Sequence, residues 1–116
     1  MRLRAVLLLF AVLLATPVRA TSTLMFASDD VCALLLVSGS AEVAAGLTVY
    51  RRPDRVIAAA PPERLRVLRW RLDAQDIHLV VNASRTTPRI ELRAAGRFAS
   101  LWVGARRYTV KPDWVR

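Results

Sequence analysis

From residue 63 onward, apolar side chains return at every second position, which commits the second half of this chain to half-buried β-strands. Leu68, Trp70 and Leu72 alternate with Arg69 and Arg71. Ile77, Leu79 and Val81 share a face, with His78 and Asn82 opposite. Ile90 and Leu92 alternate with Glu91 and Arg93, and Tyr108 and Val110 with Arg107 and Thr109. Between them, Phe98, Ser100 and Trp102 alternate with Ala99, Leu101 and Val103, the pattern of a strand covered on both sides. Polar or glycine-bearing breaks fall at 73–76, 84–88, 94–96 and 104–105. Breaks this short return a strand antiparallel to the one before it. The opening is the least determined part. Pro61-Pro62-Glu63 can start a helix with Leu65, Leu68 and Leu72 on one face, but the alternation with arginine favours a strand.

The first half reads differently. Residues 31–50, VCALLLVSGSAEVAAGLTVY, are apolar without a clear period. They fit a buried helix capped by Ser28, Asp29 or Asp30, two strands turning at Ser38-Gly39-Ser40, or a membrane span. Against the span stands Glu42, since a carboxylate at mid-membrane costs roughly 2.5–3.5 kcal/mol. Arg51-Arg52-Pro53-Asp54-Arg55 reads as a turn, and residues 56–60 as a short apolar strand stopped by Pro61-Pro62. The expected fold class is therefore α+β or mainly β. It is a small antiparallel meander of four to six strands, over about 64–111, with an N-terminal helix or hairpin from 28–50 packed on it.

Residues 1–20, MRLRAVLLLFAVLLATPVRA, have the three-part layout of a secretory signal peptide. Arg2 and Arg4 form the positive region, residues 5–15 are uninterrupted and apolar, and Val18-Arg19-Ala20 offers a cleavage site. The apolar run is about half the ~20 residues a membrane-crossing helix needs. Residues 21–116 are then a single exported domain, periplasmic or extracellular. The alternative is an inner-membrane protein with two spans, the second over 31–50, and a basic regulatory β domain in the cytoplasm. Arg2 and Arg4 at one flank and Arg51, Arg52 and Arg55 at the other suit that arrangement.

Removing 20 of 116 residues leaves 96, at the small end of what buries its own core. No internal disulfide can help, because Cys32 is the only cysteine; it is expected to be a small buried hydrophobe. Charge is concentrated. Residues 21–50 hold three acidic and no basic residues, whereas residues 51–116 hold 15 basic and six acidic ones. Such a field attracts anions.

No catalytic, cofactor-binding or metal-binding set emerges. His78 and Cys32 each stand alone where a metal site needs several ligands. Asp73 and Asp76 sit in a turn where carboxylates serve local backbone hydrogen bonds. What remains is arginine. Arg64 and Arg66 are expected on one face of the first strand, and Arg69 and Arg71 on the other. Arg89, Arg93, Arg106 and Arg107 follow in later strands and turns, and Trp114 near the C-terminus is the expected exposed aromatic contact. Trp70 and Trp102 are expected in the core. The resulting expectation is a non-enzymatic accessory or binding protein. Its basic sheet face would meet an acidic protein or an anionic envelope surface, with no nucleic-acid partner if exported and self-association left open.

Overall fold

In the computed structural model, residues 21–39, 43–52 and 54–114 are described, and they form nine β-strands. These are β1 (Thr21–Ala27), β2 (Val31–Ser38), β3 (Val43–Arg51), β4 (Arg55–Ala60), β5 (Leu65–Arg71), β6 (Asp76–Val81), β7 (Ile90–Ala95), β8 (Phe98–Val103) and β9 (Arg106–Pro112). A single 3-10 turn, Pro62–Arg64, links β4 to β5. The strand order is β4-β3-β2-β1-β9-β8-β7-β6-β5, every neighbouring pair is antiparallel, and the sheet curls into a nearly closed barrel.

The expected meander of four to six strands with an N-terminal helix or hairpin packed on it is thus corrected: the described residues are nearly all β, and their nine strands, β2 and β3 included, belong to one sheet. The described residues of the stretch 28–50 hold no helix. It becomes β2 and most of β3, paired with each other and flanked by β1 and β4. Two strands over 31–51 also leave no helical membrane span there, and no helix among the described residues is long and apolar enough to cross a membrane. The signal segment 1–20 and Glu42 lie outside the described residues.

The reason for the correction lies in β2. Val31, Ala33, Leu35 and Val37 are buried in the barrel, while Cys32, Leu34 and Leu36 occupy the outward positions. Because both faces are apolar, the period of two is hidden in the sequence. Three β-bulges hide it further, at Leu36/Val37, Val49/Tyr50 and Val67/Arg69. A bulge inserts one unpaired residue and so reverses the inward phase along its strand.

One continuous core joins the two halves of the chain. Phe26, Leu35, Leu47 and Val49 from the first half meet Ile77, Leu79, Ile90, Leu92 and Leu101 from the second, all essentially inaccessible to solvent. Each such side chain contributes about 1.5–3 kcal/mol on burial. Among the described residues, strand pairing joins the halves at two positions, Phe26 opposite Pro112 and Ala27 opposite Lys111. Trp114 reinforces this junction. Its ring meets Phe26 edge-on at 5.6 Å between centroids, and its Nε1–H donates to the Gly96 carbonyl oxygen at 2.6 Å.

Candidate interaction face

The strands β5–β9 turn alternate side chains inward, so their remaining positions build one outer face. Cross-strand register fixes its rows. Arg69 stands opposite His78, His78 opposite Arg93, and Arg93 opposite Ser100. In the next row Arg66 stands opposite Val80, then Glu91, Trp102 and Arg107 follow. A third row carries Arg71, Asp76, Ala95 and Phe98.

The sequence placed Arg66 on the face opposite Arg69 and Arg71, which a regular strand requires. The bulge between Val67 and Arg69 changes this. Val67 pairs with Leu79 and Arg69 pairs with His78, so Leu68 is the extra residue and stands half exposed. Its insertion brings Arg66 to the same side as Arg69 and Arg71.

Electrostatics divide the arginines. Arg69 Nη1 lies 3.4 Å from Asp76 Oδ2, and Arg89 Nη1 lies 3.0 Å from Glu91 Oε1. Arg93 Nη2 is 3.9 Å from Glu91 Oε2, and His78 Nε2–H donates to the same oxygen at 2.6 Å. Hydrogen bonds from His78 and Arg89 hold the Glu91 carboxyl below the usual carboxylate range, outweighing the opposing effect of burial. Arg66 and Arg71 have no ion-pair partner among the described residues, and both are exposed. The guanidinium of Arg107 lies 5.5 Å from the Trp102 ring centroid and donates to Ser100 Oγ at 3.0 and 3.2 Å. Phe98 projects beside this cluster with 79% of its surface exposed.

The other candidates lie elsewhere. Arg64 belongs to the 3-10 turn and donates from Nη2 to the Asn82 carbonyl oxygen at 3.2 Å. Arg106, at the start of β9, covers the Tyr108 ring at 5.1 Å. Trp114, expected to be exposed, is half-buried against Phe26, and Trp102, expected in the core, stands on the outer face under Arg107. Each difference has its own cause. The C-terminal segment crosses the junction of the two halves and needs a large ring there, while Trp102 falls on the outward phase of β8, opposite Glu91 and Arg107. Trp70 is partly buried against the core.

Chemistry beyond charge is sparse. Among the described residues no group of three or more His, Cys, Asp or Glu side chains is placed to hold a metal ion. Cys32, expected to be buried, is half-buried on the outside of β2. Burial pushes its thiol up, with a smaller opposing effect of the Arg52 guanidinium, which disfavours the thiolate needed for nucleophilic work. The feature that sequence reading missed is the contribution of Phe98 and Trp102 to the basic face. The alternation of Phe98, Ser100 and Trp102 carried that signal, but with apolar neighbours on both sides it did not say which set faces out. No protein-family model, curated protein or solved structure matches this chain.

Proposed function

We propose that this protein is an exported, non-enzymatic binding protein that meets an acidic protein or an anionic envelope surface with the outer face of β5–β9. The observation that carries the reading is the bulge at Leu68, which gathers Arg66, Arg69 and Arg71 on one side of β5. Arg93 of β7 and Arg107 and Lys111 of β9 extend the same charge across the sheet, against only Asp76 and Glu91 of opposite sign at outward positions. Exposed arginine beside the exposed Phe98 ring and the half-buried Trp102 is a composition favoured where proteins bind partners. The exported address rests on the tripartite layout of residues 1–20.

The test measures binding of the purified protein to poly-L-glutamate and to anionic phospholipid vesicles at low and at high salt. Wild type binds at least one of them in a salt-sensitive manner, and the triple variant Arg66→Ala, Arg69→Ala, Arg71→Ala loses most of that affinity while keeping its melting temperature. Equal binding by the triple variant would remove this face from consideration.

A further inference from the structure

A second site lies apart from this face, where the β3–β4 turn, the 82–89 loop and the β8–β9 turn converge. They enclose an open cavity of about 400 Å³, within the range of small-molecule sites. Its lining is mainly polar, with Arg51, Arg55 and Thr86 beside Tyr108, and Ile57, Pro88 and Val103 supply a smaller apolar part.

Three properties set this cavity apart from a surface crevice. Its cations are uncommitted: neither Arg51 nor Arg55 has an ion-pair partner among the described residues. Arg106 adds a third positive charge over the Tyr108 ring, also without a carboxylate partner there. The Tyr108 hydroxyl makes no hydrogen bond among the described residues, so a donor is left at the same wall. The far wall is also fixed in place. Ser84 bonds its hydroxyl to Thr87 Oγ1 at 2.7 Å and its amide to the Thr87 carbonyl at 2.9 Å. The Gly104 amide then ties the β8–β9 turn to the Arg89 carbonyl at 2.7 Å. A preformed wall spares a ligand the ordering entropy that a mobile loop would cost.

We propose that this cavity binds a small amphiphilic anion: a phosphate or carboxylate group held by Arg51 and Arg55, with a short hydrocarbon body against Ile57, Pro88 and Val103. The guanidinium fork suits both oxyanions, because each presents paired oxygens to its parallel N–H donors. The smaller apolar part of the lining, from Ile57, Pro88 and Val103, gives the site its preference for an amphiphile over a bare ion. A lipid head and a free phosphomonoester share this chemistry, and chain length separates them.

The experiment is calorimetric titration of the protein, as its host produces it, with n-octyl phosphate, inorganic phosphate and 1-octanol. Octyl phosphate binds saturably at one site and more tightly than either half alone. The Arg51→Ala, Arg55→Ala double variant weakens it by about tenfold or more, as expected for losing charged hydrogen bonds. The Arg69→Ala, Arg71→Ala variant leaves it unchanged, which separates this site from the basic sheet face. A longer alkyl phosphate that binds tighter still marks a lipid as the source, and one that is rejected marks a soluble ester. Should the double variant fold poorly, amide chemical-shift mapping on wild type decides, with the changes confined to residues 51–57, 86–88 and 103–108. No saturable binding, equal binding by the double variant, or shifts mapping to β5–β7 would each overturn the proposal.

Discussion

Replacing Trp114 separates a structural anchor from a contact residue. The indole bridges two parts of the barrel that, among the described residues, share two paired backbone positions, Phe26 with Pro112 and Ala27 with Lys111. It donates one hydrogen bond to the Gly96 carbonyl and meets Phe26 edge-on. Trp114→Phe keeps an aromatic ring but loses the hydrogen bond, a cost of about 0.5–1.5 kcal/mol. Trp114→Ala removes the ring as well. A fully buried Trp→Ala change costs about 3–5 kcal/mol, and the half-buried position here reduces that to roughly 2–3 kcal/mol. For a domain of this size about 1 kcal/mol corresponds to roughly 4–8 °C in melting temperature. Urea unfolding followed by far-ultraviolet circular dichroism reads both variants without relying on tryptophan emission. The expected order is wild type, then Phe, then Ala, with an unchanged m-value. A Trp114→Ala variant within about 0.5 kcal/mol of wild type, the range of ordinary surface changes, would refute the anchoring role and restore Trp114 as a free contact.

The Glu91 carboxylate is stabilised in the folded state by His78 and Arg89, so its contribution is present above the ordinary carboxylate pKa of the unfolded chain and is lost as pH falls through the lower folded value. Glu91→Gln therefore flattens the acid limb of a stability–pH profile; an unchanged limb would show that the pair is energetically idle. At the β5–β6 turn Gln75 adopts φ of +56°, which L side chains disfavour by about 1–2 kcal/mol. Gln75→Gly is expected to raise stability by up to about 1 kcal/mol in denaturant titrations. The converse applies at Gly96, with φ of +59° and nothing within 4 Å of an added Cβ. Gly96→Ala should cost about 1–2 kcal/mol through backbone strain alone. In the core, Leu92→Ala is expected to destabilise by about 2–5 kcal/mol by thermal melting.

Legibility of the sequence followed the contrast between the two faces of each strand. β6 and β7 were plain because Ile77, Leu79, Ile90 and Leu92 are buried while His78, Glu91 and Arg93 are not. β2 was ambiguous because Leu34 and Leu36 face outward, so its burial alternates while its hydropathy does not. β1 escaped notice altogether. It offers only Leu24 and Phe26 to the interior, and its partner positions are set by β2 and β9 rather than by its own pattern. In β5 the pattern was visible but its phase was not: alternation of Leu68, Trp70 and Leu72 with arginine implied a regular strand, and the bulge at Leu68 is a property of pairing with β6. The same bulge explains why the basic face was only partly legible, since Arg66 joins it through pairing geometry that single-strand periodicity does not carry.

The topology also bears on why β5 is so rich in arginine. Nine strands with every neighbour antiparallel leave the first and last in the order, β4 and β5, running the same way. Joining them would need a parallel ladder, and parallel neighbours require a crossover of about a dozen residues or more. Only residues 61–64 lie between β4 and β5, so the barrel keeps a seam bounded by two edge strands. Edge strands are commonly protected by charge and by bulges, and β5 has both, in Arg66, Arg69, Arg71 and the extra residue Leu68. Edge protection and anion binding thus call on the same side chains, but they differ in one respect. Repelling another strand edge requires charge of either sign, whereas holding an acidic partner requires positive charge. Arg66→Glu and Arg71→Glu together should therefore leave solubility and oligomeric state as in wild type while abolishing binding to polyanions. If the arginines serve only the edge, neither solubility nor polyanion binding will change, because there will have been no binding to lose.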